Sequence, residues 1–164
     1  MSEQFTIEPL SDKHDRQAFS CGSPKLDRYL QTQAGQDARR RIASCFVAVG
    51  DAGIAGYYTL CASSIPISDL PQSLVKKLPR YPVLPAALVG RLTVDRRYAG
   101  RGLGSALLYD AIARSLRADP MVYALIAEAK DDAAAGFYTH FGFQAFESRP
   151  MSFFLPMATA AKLT

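Results

Sequence analysis

A knot of glycines between two hydrophobic patterns of different period constrains this chain more than any other feature. Ala87 to Val94 reads as a strand, apolar except for Arg91 and Thr93, and Leu103 to Leu116 reads as a helix. In that helix Leu103, Ala106, Leu107 and Ala111, with the neighbouring set Leu108, Ile112 and Leu116, make a face wide enough to lie on a sheet. Between the two runs a turn, Arg96 to Gly102, carries Gly100 and Gly102, and Gly104 follows. A helix start leaves backbone N–H groups unpaired and bears partial positive charge, so it can hold a phosphate. Glycines there allow positive φ and close approach. The corner is therefore an anion site or, in the plainer reading, a connector with no ligand.

Two common phosphate-binding turns fit poorly. A P-loop needs a Gly-Lys pair, and none occurs. Gly100, Gly102 and Ser105 match a dinucleotide fingerprint only approximately, and three predicted strands precede the turn, whereas a Rossmann unit stands near the domain's start.

The rest of the chain predicts a mixed α/β order. A short strand is expected around Phe5, Ile7 and Pro9-Leu10. Ser23-Pro24 reads as an N-cap with proline at the first helical position, and Leu26, Tyr29 and Leu30 follow at helical spacing. Gly35 weakens this helix, and Arg39, Arg40 and Arg41 cluster near its end, where cations suit the helix dipole. Cys45 to Val49, Gly50 to Gly53 and Ile54 to Cys61 read as strand, turn, strand. Five of the ten prolines fall between Pro66 and Pro85, predicting an irregular excursion with at most one short helix around Leu74 to Leu78. Met121 to Ala127 is a strand expected to be covered on both sides. A helix over Ala133 to Tyr138 and a last strand over Met151 to Leu155 complete a single domain, residues 1–164.

Composition bounds the function. The 164 residues are 49% hydrophobic and 21% charged, enough for one buried core and unlike a disordered chain. No apolar run approaches the ~18–20 residues of a membrane helix. The segment Met1-Ser2-Glu3-Gln4-Phe5 lacks a signal peptide's layout, so a cytoplasmic protein with no membrane partner is expected. Cys21, Cys45 and Cys61 are odd in number without CxxC spacing; buried or free thiols are expected, with neither disulfide framework nor metal site. The net charge of +4 suits an anionic partner such as RNA or a CoA phosphate, or nothing beyond ordinary solubility.

Arg97-x-x-Gly100-x-Gly102 resembles the [QR]-x-x-G-x-[GA] pyrophosphate loop of the GNAT acetyltransferase superfamily. Asp131-x-Ala133-Ala134-x-x-Phe137-Tyr138-x-x-x-Gly142-Phe143 resembles that family's N-x-x-A-x-x-F-Y-x-x-x-G-F segment, at the expected distance after the loop. The resemblance implies an α/β GNAT fold: a mixed central β-sheet, splayed between the fourth and fifth strands and flanked by helices. It implies acetyl-CoA as co-substrate, held at Gly100, Arg101, Gly102, Leu103, Gly104 and Ser105. Backbone groups of Leu92, Thr93 and Val94 would line the pantetheine and thioester. The family's asparagine is Asp131 here, which puts that pantetheine contact in question.

Tyr138 is the candidate catalytic residue. Thioester acyl transfer expels a thiolate, and a phenol of pKa about 10 is still protonated at neutral pH and can donate. The resemblance implies that this tyrosine points at the sulfur; the plainer reading is an interior aromatic with a satisfied hydroxyl. Phe137, Phe141 and Phe143 read as core. His140 lies about 200° round the helix from Tyr138 and reads as surface, as does His14. Val94 N–H is a candidate oxyanion donor. Glu128 is either a proton relay through water or a solvated strand end.

The acceptor amine follows from titration. A lysine amine, pKa about 10.4, needs a base before it attacks, whereas an α-amine at about 7.7–8.0 is already substantially neutral. No strong base is evident near Tyr138, which favours an α-amine. His14-Asp15-x-x-x-Phe19-x-Cys21-Gly22, Leu26-Asp27-x-Tyr29-Leu30, Gln36-Asp37 and Gly90-Arg91-Leu92-Thr93-Val94-Asp95 resemble one GNAT subgroup, the toxins of type II toxin–antitoxin pairs. That resemblance implies acetylation of aminoacyl-tRNA, arrest of translation, a homodimer and a ribbon-helix-helix antitoxin. Arg39, Arg40, Arg41, Lys76, Lys77, Arg80 and Arg91 would then meet tRNA phosphates, or else be solvated surface charge. The alternatives are a GNAT enzyme of a small amine or protein N-terminus, and a non-catalytic module that binds RNA or another anion.

Overall fold

The helix start at Ser23 is built as its residues predict: the Ser23 side chain accepts from Leu26 N–H, and Pro24 opens the helix. The computed structural model describes residues 4–163, so residues 1–3 of the segment read for a leader, and residue 164, lie outside them. The elements in order are β1 (Thr6–Pro9), α1 (Pro24–Arg28), α2 (Ala34–Arg39), β2 (Ser44–Gly50), β3 (Gly53–Pro66), α3 (Gln72–Val75), β4 (Val83–Val94), α4 (Leu103–Leu116), β5 (Ala124–Glu128), α5 (Asp132–His140), β6 (Gln144–Ala145), β7 (Ser152–Pro156) and α6 (Met157–Leu163). The strands form a mixed seven-stranded sheet in the order β1-β2-β3-β4-β5-β7-β6.

Two compact units share the long strands β3 and β4. The first comprises residues 1–61 and 90–111. Here β2 pairs antiparallel with β1 (Thr6↔Val49 to Pro9↔Phe46) and with β3 (Ser44↔Leu60 to Gly50↔Gly53). Phe19, Tyr29, Leu30, Val47 and Tyr57 form its core. Tyr57 is fully buried, yet its hydroxyl donates to Leu26 O at 2.7 Å, so the polar tip is not orphaned. Gly56 marks a close approach: a methyl group there would lie 3.0 Å from both Thr93 O and Leu107 Cδ1.

The second unit comprises residues 62–89 and 112–164. Its β5 pairs parallel with β4 and antiparallel with β7, and β6 extends the edge beside β7. Ile65, Leu84, Ile126, Phe146 and Phe154 form its core. Residues Ala124 to Ala127 are all buried, the double coverage expected of this strand.

Several boundaries differ from expectation. The first helix is interrupted, with a π-helical run over Tyr29–Gln33 whose Tyr29 carbonyl is reached by Ala34 N–H. β3 runs five residues beyond Cys61, and β4 starts at Val83, so Pro85 stands inside a strand. Pro85 gives up no needed donor, because its exposed position keeps only the carbonyl in use, accepting from Tyr123 N–H. The helix in the proline-rich excursion is α3, ending before the predicted Leu78, after a 3-10 turn over Ile67–Asp69. β5 begins at Ala124, leaving Met121 84% exposed. β6 and α6 were not expected. All three cysteines are free thiols; Cys45 is buried, which pushes its pKa up to about 12.

Gly56→Ala should lower unfolding free energy by about 1–3 kcal/mol, because one contact is backbone and cannot rotate away. A urea midpoint equal to wild type would contradict this packing.

Candidate active site

The parallel register between β4 and β5 runs from Ala86↔Ala124 to Val89↔Ala127 and stops, although β4 continues to Val94. Gly90 to Val94 thus extends beyond the last residue paired with β5, which is the expected departure of the fourth strand from the fifth. Within this stretch Thr93 is buried, and Leu92 and Val94 are half-buried.

Asp95 turns the chain out of the strand. Its carboxylate accepts from Arg97 N–H (2.8 Å), Arg97 Nε (3.0 Å) and Ser20 N–H (3.0 Å), while its own N–H donates to Ala55 O. Burial raises its pKa, but the donors from Arg97 and Ser20 outweigh that cost and hold the carboxyl below the ordinary carboxylate range. A 3-10 turn over Arg96–Tyr98 follows, and then the glycines. Gly100 has φ +78 and Gly102 φ +77, with nothing within 4 Å of where a side chain would start. Glycine is required there by backbone conformation, and the space above both residues is open. The first bond into α4 runs from Ala106 N–H to Gly102 O, so the amides of Leu103, Gly104 and Ser105 lie ahead of it. A methyl on Gly104 would lie 4.0 Å from Val94 Cγ2, so the helix start and the strand end meet. Exposed Arg97 and Arg101 flank the turn, their guanidiniums 5.7 and 5.4 Å from the Tyr98 ring centroid. Open space, positive-φ glycines, free amides and flanking cations are what a diphosphate requires, and they fit acetyl-CoA.

Residues 41–145 match the acetyltransferase (GNAT) domain. The chain is 38% identical to a tRNA-acetylating toxin of Mycobacterium tuberculosis over 99% of its own length and 98% of that protein's. The chain belongs to the GNAT acetyltransferase family. Among solved structures it superposes on AtaT complexed with acetyl-methionyl-tRNAfMet with a TM-score of 0.90, at 30% identity, covering 98% of this chain and 99% of that one. It also superposes on a tyrosine-to-phenylalanine AtaT mutant bound to the C-terminus of the antitoxin AtaR and acetyl-CoA, with a TM-score of 0.80 at 27% identity, covering 98% and 97%.

The GNAT motif residues divide between the two units. The first unit holds Leu92, Thr93, Val94 and Gly100 to Ser105; the second holds Tyr138. Tyr138 is 6% exposed, its ring packed on Phe143 (5.5 Å), Phe137 (5.4 Å) and Phe153 (6.1 Å). Burial raises its pKa, so the phenol keeps its proton. Among the described residues the buried side-chain polar atoms without a hydrogen bond are Ser115 Oγ and His14 Nε2, the latter 3.7 Å from Glu8 Oε1 on a buried side chain rather than the surface one expected; the Tyr138 hydroxyl is not one of them and has no hydrogen bond. It is therefore a wetted tip on a buried ring. Phe143 is buried, whereas Phe137 and Phe141 are half-buried, and His140 and Glu128 are exposed. Asp131 caps α5, accepting from Ala134 N–H at 2.8 Å.

The basic residues vary in setting. Arg39, Arg40 and Arg41 are exposed where α2 ends, and Lys76, Lys77 and Arg80 are exposed after α3. Arg91 lies 3.5 Å over the Tyr29 ring, and that ring's hydroxyl donates to Asp37. A cation on an apolar strand has thus found an internal partner. Asp95 belongs to the Gly90 to Asp95 segment that carries the family resemblance, and the structure shows what it does there; Ser20 carries no such signal in the sequence.

Asp95→Asn should cost about 2 kcal/mol, since an amide nitrogen cannot accept from the buried donors, and should weaken acetyl-CoA binding. The folded carboxyl titrates below its unfolded value, so its stabilisation is complete above the unfolded pKa of about 4 and fades as pH falls through the folded one. Denaturation monitored from pH 7 to 3 should show a shallower acid loss in the variant; identical slopes would remove Asp95 from this role.

Proposed function

We propose that this chain is a toxin of a type II toxin–antitoxin pair that transfers acetyl from acetyl-CoA to the α-amine of aminoacyl-tRNA and so blocks translation. The observation that carries the reading is the glycine corner, positive-φ Gly100 and Gly102 ahead of free α4 amides, in a chain that matches tRNA-acetylating relatives end to end. On the same reading residues 1–164 form one domain, the working form is a cytoplasmic homodimer, and a ribbon-helix-helix antitoxin neutralises it. No helix among the described residues is long and apolar enough to cross a membrane.

Gly100, Arg101, Gly102, Leu103, Gly104 and Ser105 would hold the diphosphate, and Leu92 to Val94 the pantetheine. When bound, acetyl-CoA supplies a thioester whose carbonyl carbon the amine attacks and whose thiolate departs. Val94 N–H donates to the carbonyl oxygen as charge develops there. Tyr138 passes its phenolic proton to the departing sulfur and is reprotonated from water. The α-amine needs no dedicated base, because at about 7.7–8.0 its pKa leaves roughly half or more of it neutral at pH 8. The proton it sheds on acylation goes to solvent.

Arg39, Arg40, Arg41, Lys76, Lys77, Arg80 and Arg91 are the proposed tRNA contacts. Arg41 supports this by its backbone. It has φ 62, at the position after α2 where Ile42 N–H reaches back to Asp37 O. Glycine normally occupies that seat, and a side chain there costs about 1 kcal/mol. A cation kept at a strained position points to use.

Three measurements follow. Purified protein with labelled acetyl-CoA should label charged tRNA and leave uncharged tRNA unlabelled; label only on free small amines would select the small-amine enzyme instead. Tyr138→Phe should lower kcat by about 100-fold with acetyl-CoA affinity kept, and should relieve growth arrest. Arg41→Gly should raise stability by about 1 kcal/mol while raising KM for charged tRNA severalfold; a KM that stays put would make Arg41 ordinary surface.

A further inference from the structure

We propose a phosphate subsite for the nucleic-acid acceptor in the first unit, in a cavity of about 420 Å³ lined among others by His14, Arg16, Thr32, Gly35, Gln36 and Arg39. It rests on the aminoacyl-tRNA reading and adds to it a place where one backbone phosphate is gripped.

Two guanidiniums converge there on one point. A methyl built on Gly35 would lie 3.0 Å from Arg16 Nη1 and 3.3 Å from Arg39 Nη1. Gly35 sits inside α2, where glycine weakens the helix, and its missing side chain is what leaves room for both cations. Arg16 is aimed by the turn before it: its Nη2 donates to Ser11 O at 3.2 Å, and His14 Nδ1 accepts from Ser11 N–H at 3.0 Å. Arg39 has no carboxylate partner among the described residues. Asp12 and Asp15 also line the cavity. Asp12 stands in solvent 3.9 Å from Arg16, and the Asp15 carboxylate accepts from Gln17 N–H, so neither neutralises the pair closely.

Two like charges held over one small residue call for an anion between them. A phosphodiester presents non-bridging oxygens in two directions and can take a guanidinium on each, whereas a carboxylate is matched by a single guanidinium fork. Of the exposed run Arg39, Arg40 and Arg41, Arg39 lines the cavity and the other two follow it in sequence, so a polyanion is favoured over an acidic peptide.

The test uses the full-length chain with acetyl-CoA and two acceptors: charged tRNA, and an aminoacyl-adenosine, which offers the same amine without the phosphate backbone. Arg39→Gln and Arg16→Gln should each raise KM for charged tRNA about tenfold and lessen the slope of log affinity against log salt by about one. Activity on aminoacyl-adenosine should not change, and Lys162→Gln, which removes a charge elsewhere on the surface, should leave both acceptors unaffected. Gly35→Ala should raise Tm by about 2–4 °C through helix propensity, yet raise KM for charged tRNA by pushing the guanidiniums apart. A merely structural pocket would not separate those two effects. Unaltered tRNA KM and salt slope in the arginine variants would overturn the subsite. So would variants that lose affinity for an acidic antitoxin peptide but keep it for tRNA. Wild-type protein inert toward charged tRNA but active on aminoacyl-adenosine would instead defeat the reading on which the subsite rests.

Discussion

The carboxylate of Asp95 is the constraint on which the first unit turns. It is 1% exposed and collects N–H groups from Ser20 and Arg97, while its backbone bonds to Ala55. One residue thus ties the N-terminal segment and the exit from β4 together through its carboxylate, and β3 through its backbone N–H. The consequence is positional. The chain can leave the sheet at one angle only, and the glycines must then adopt positive φ to start α4 beside Val94. An anion site made of backbone amides has no side chain to adjust, so its accuracy is the accuracy of the corner.

Much of this corner was legible because its signals are local. An amphipathic period between a glycine turn and Asp119-Pro120 leaves little freedom, and α4 spans Leu103 to Leu116 as that pattern predicts. The Ser23 cap was equally local. What escaped depends on partners distant in sequence. Ala62 to Pro66 carries no strand period but continues β3, and Pro85 reads as a breaker yet sits in β4 because only its carbonyl is called upon. Met121 looked like strand by apolarity alone, and its exposure shows that an apolar side chain without a neighbour is no signal of burial. The wetted hydroxyl of Tyr138 was foreseeable as chemistry but not as geometry, since its collar of Phe137, Phe143 and Phe153 comes from three elements or their edges.

The residues that mark the toxin subgroup in the N-terminal half turn out to be largely scaffold. Phe19 lies in the core against Tyr57, and Asp27 accepts from Cys21 N–H at 2.9 Å. Gly22 has φ +93, and Tyr29 joins Asp37, which also accepts from Gln33. Family-specific spacing here reports how the segment before β2 is folded, and through Ser20 and Arg91 it reaches the strand that carries the site. The motif marks function indirectly, by fixing the platform.

The same short helix departs from local preference twice. Gly35 gives up helix propensity inside α2, and Arg41 takes on left-handed strain just past its end. A sequence tuned for stability alone would reverse both, with a side chain at 35 and glycine at 41. Each departure has the same result, a guanidinium placed where a better-behaved residue would have excluded or omitted it. Independent accidents would not share a sign, a helix and a charge. On the proposed reading, the stability given up in the folded chain is recovered in the complex with tRNA, where these guanidiniums meet phosphates.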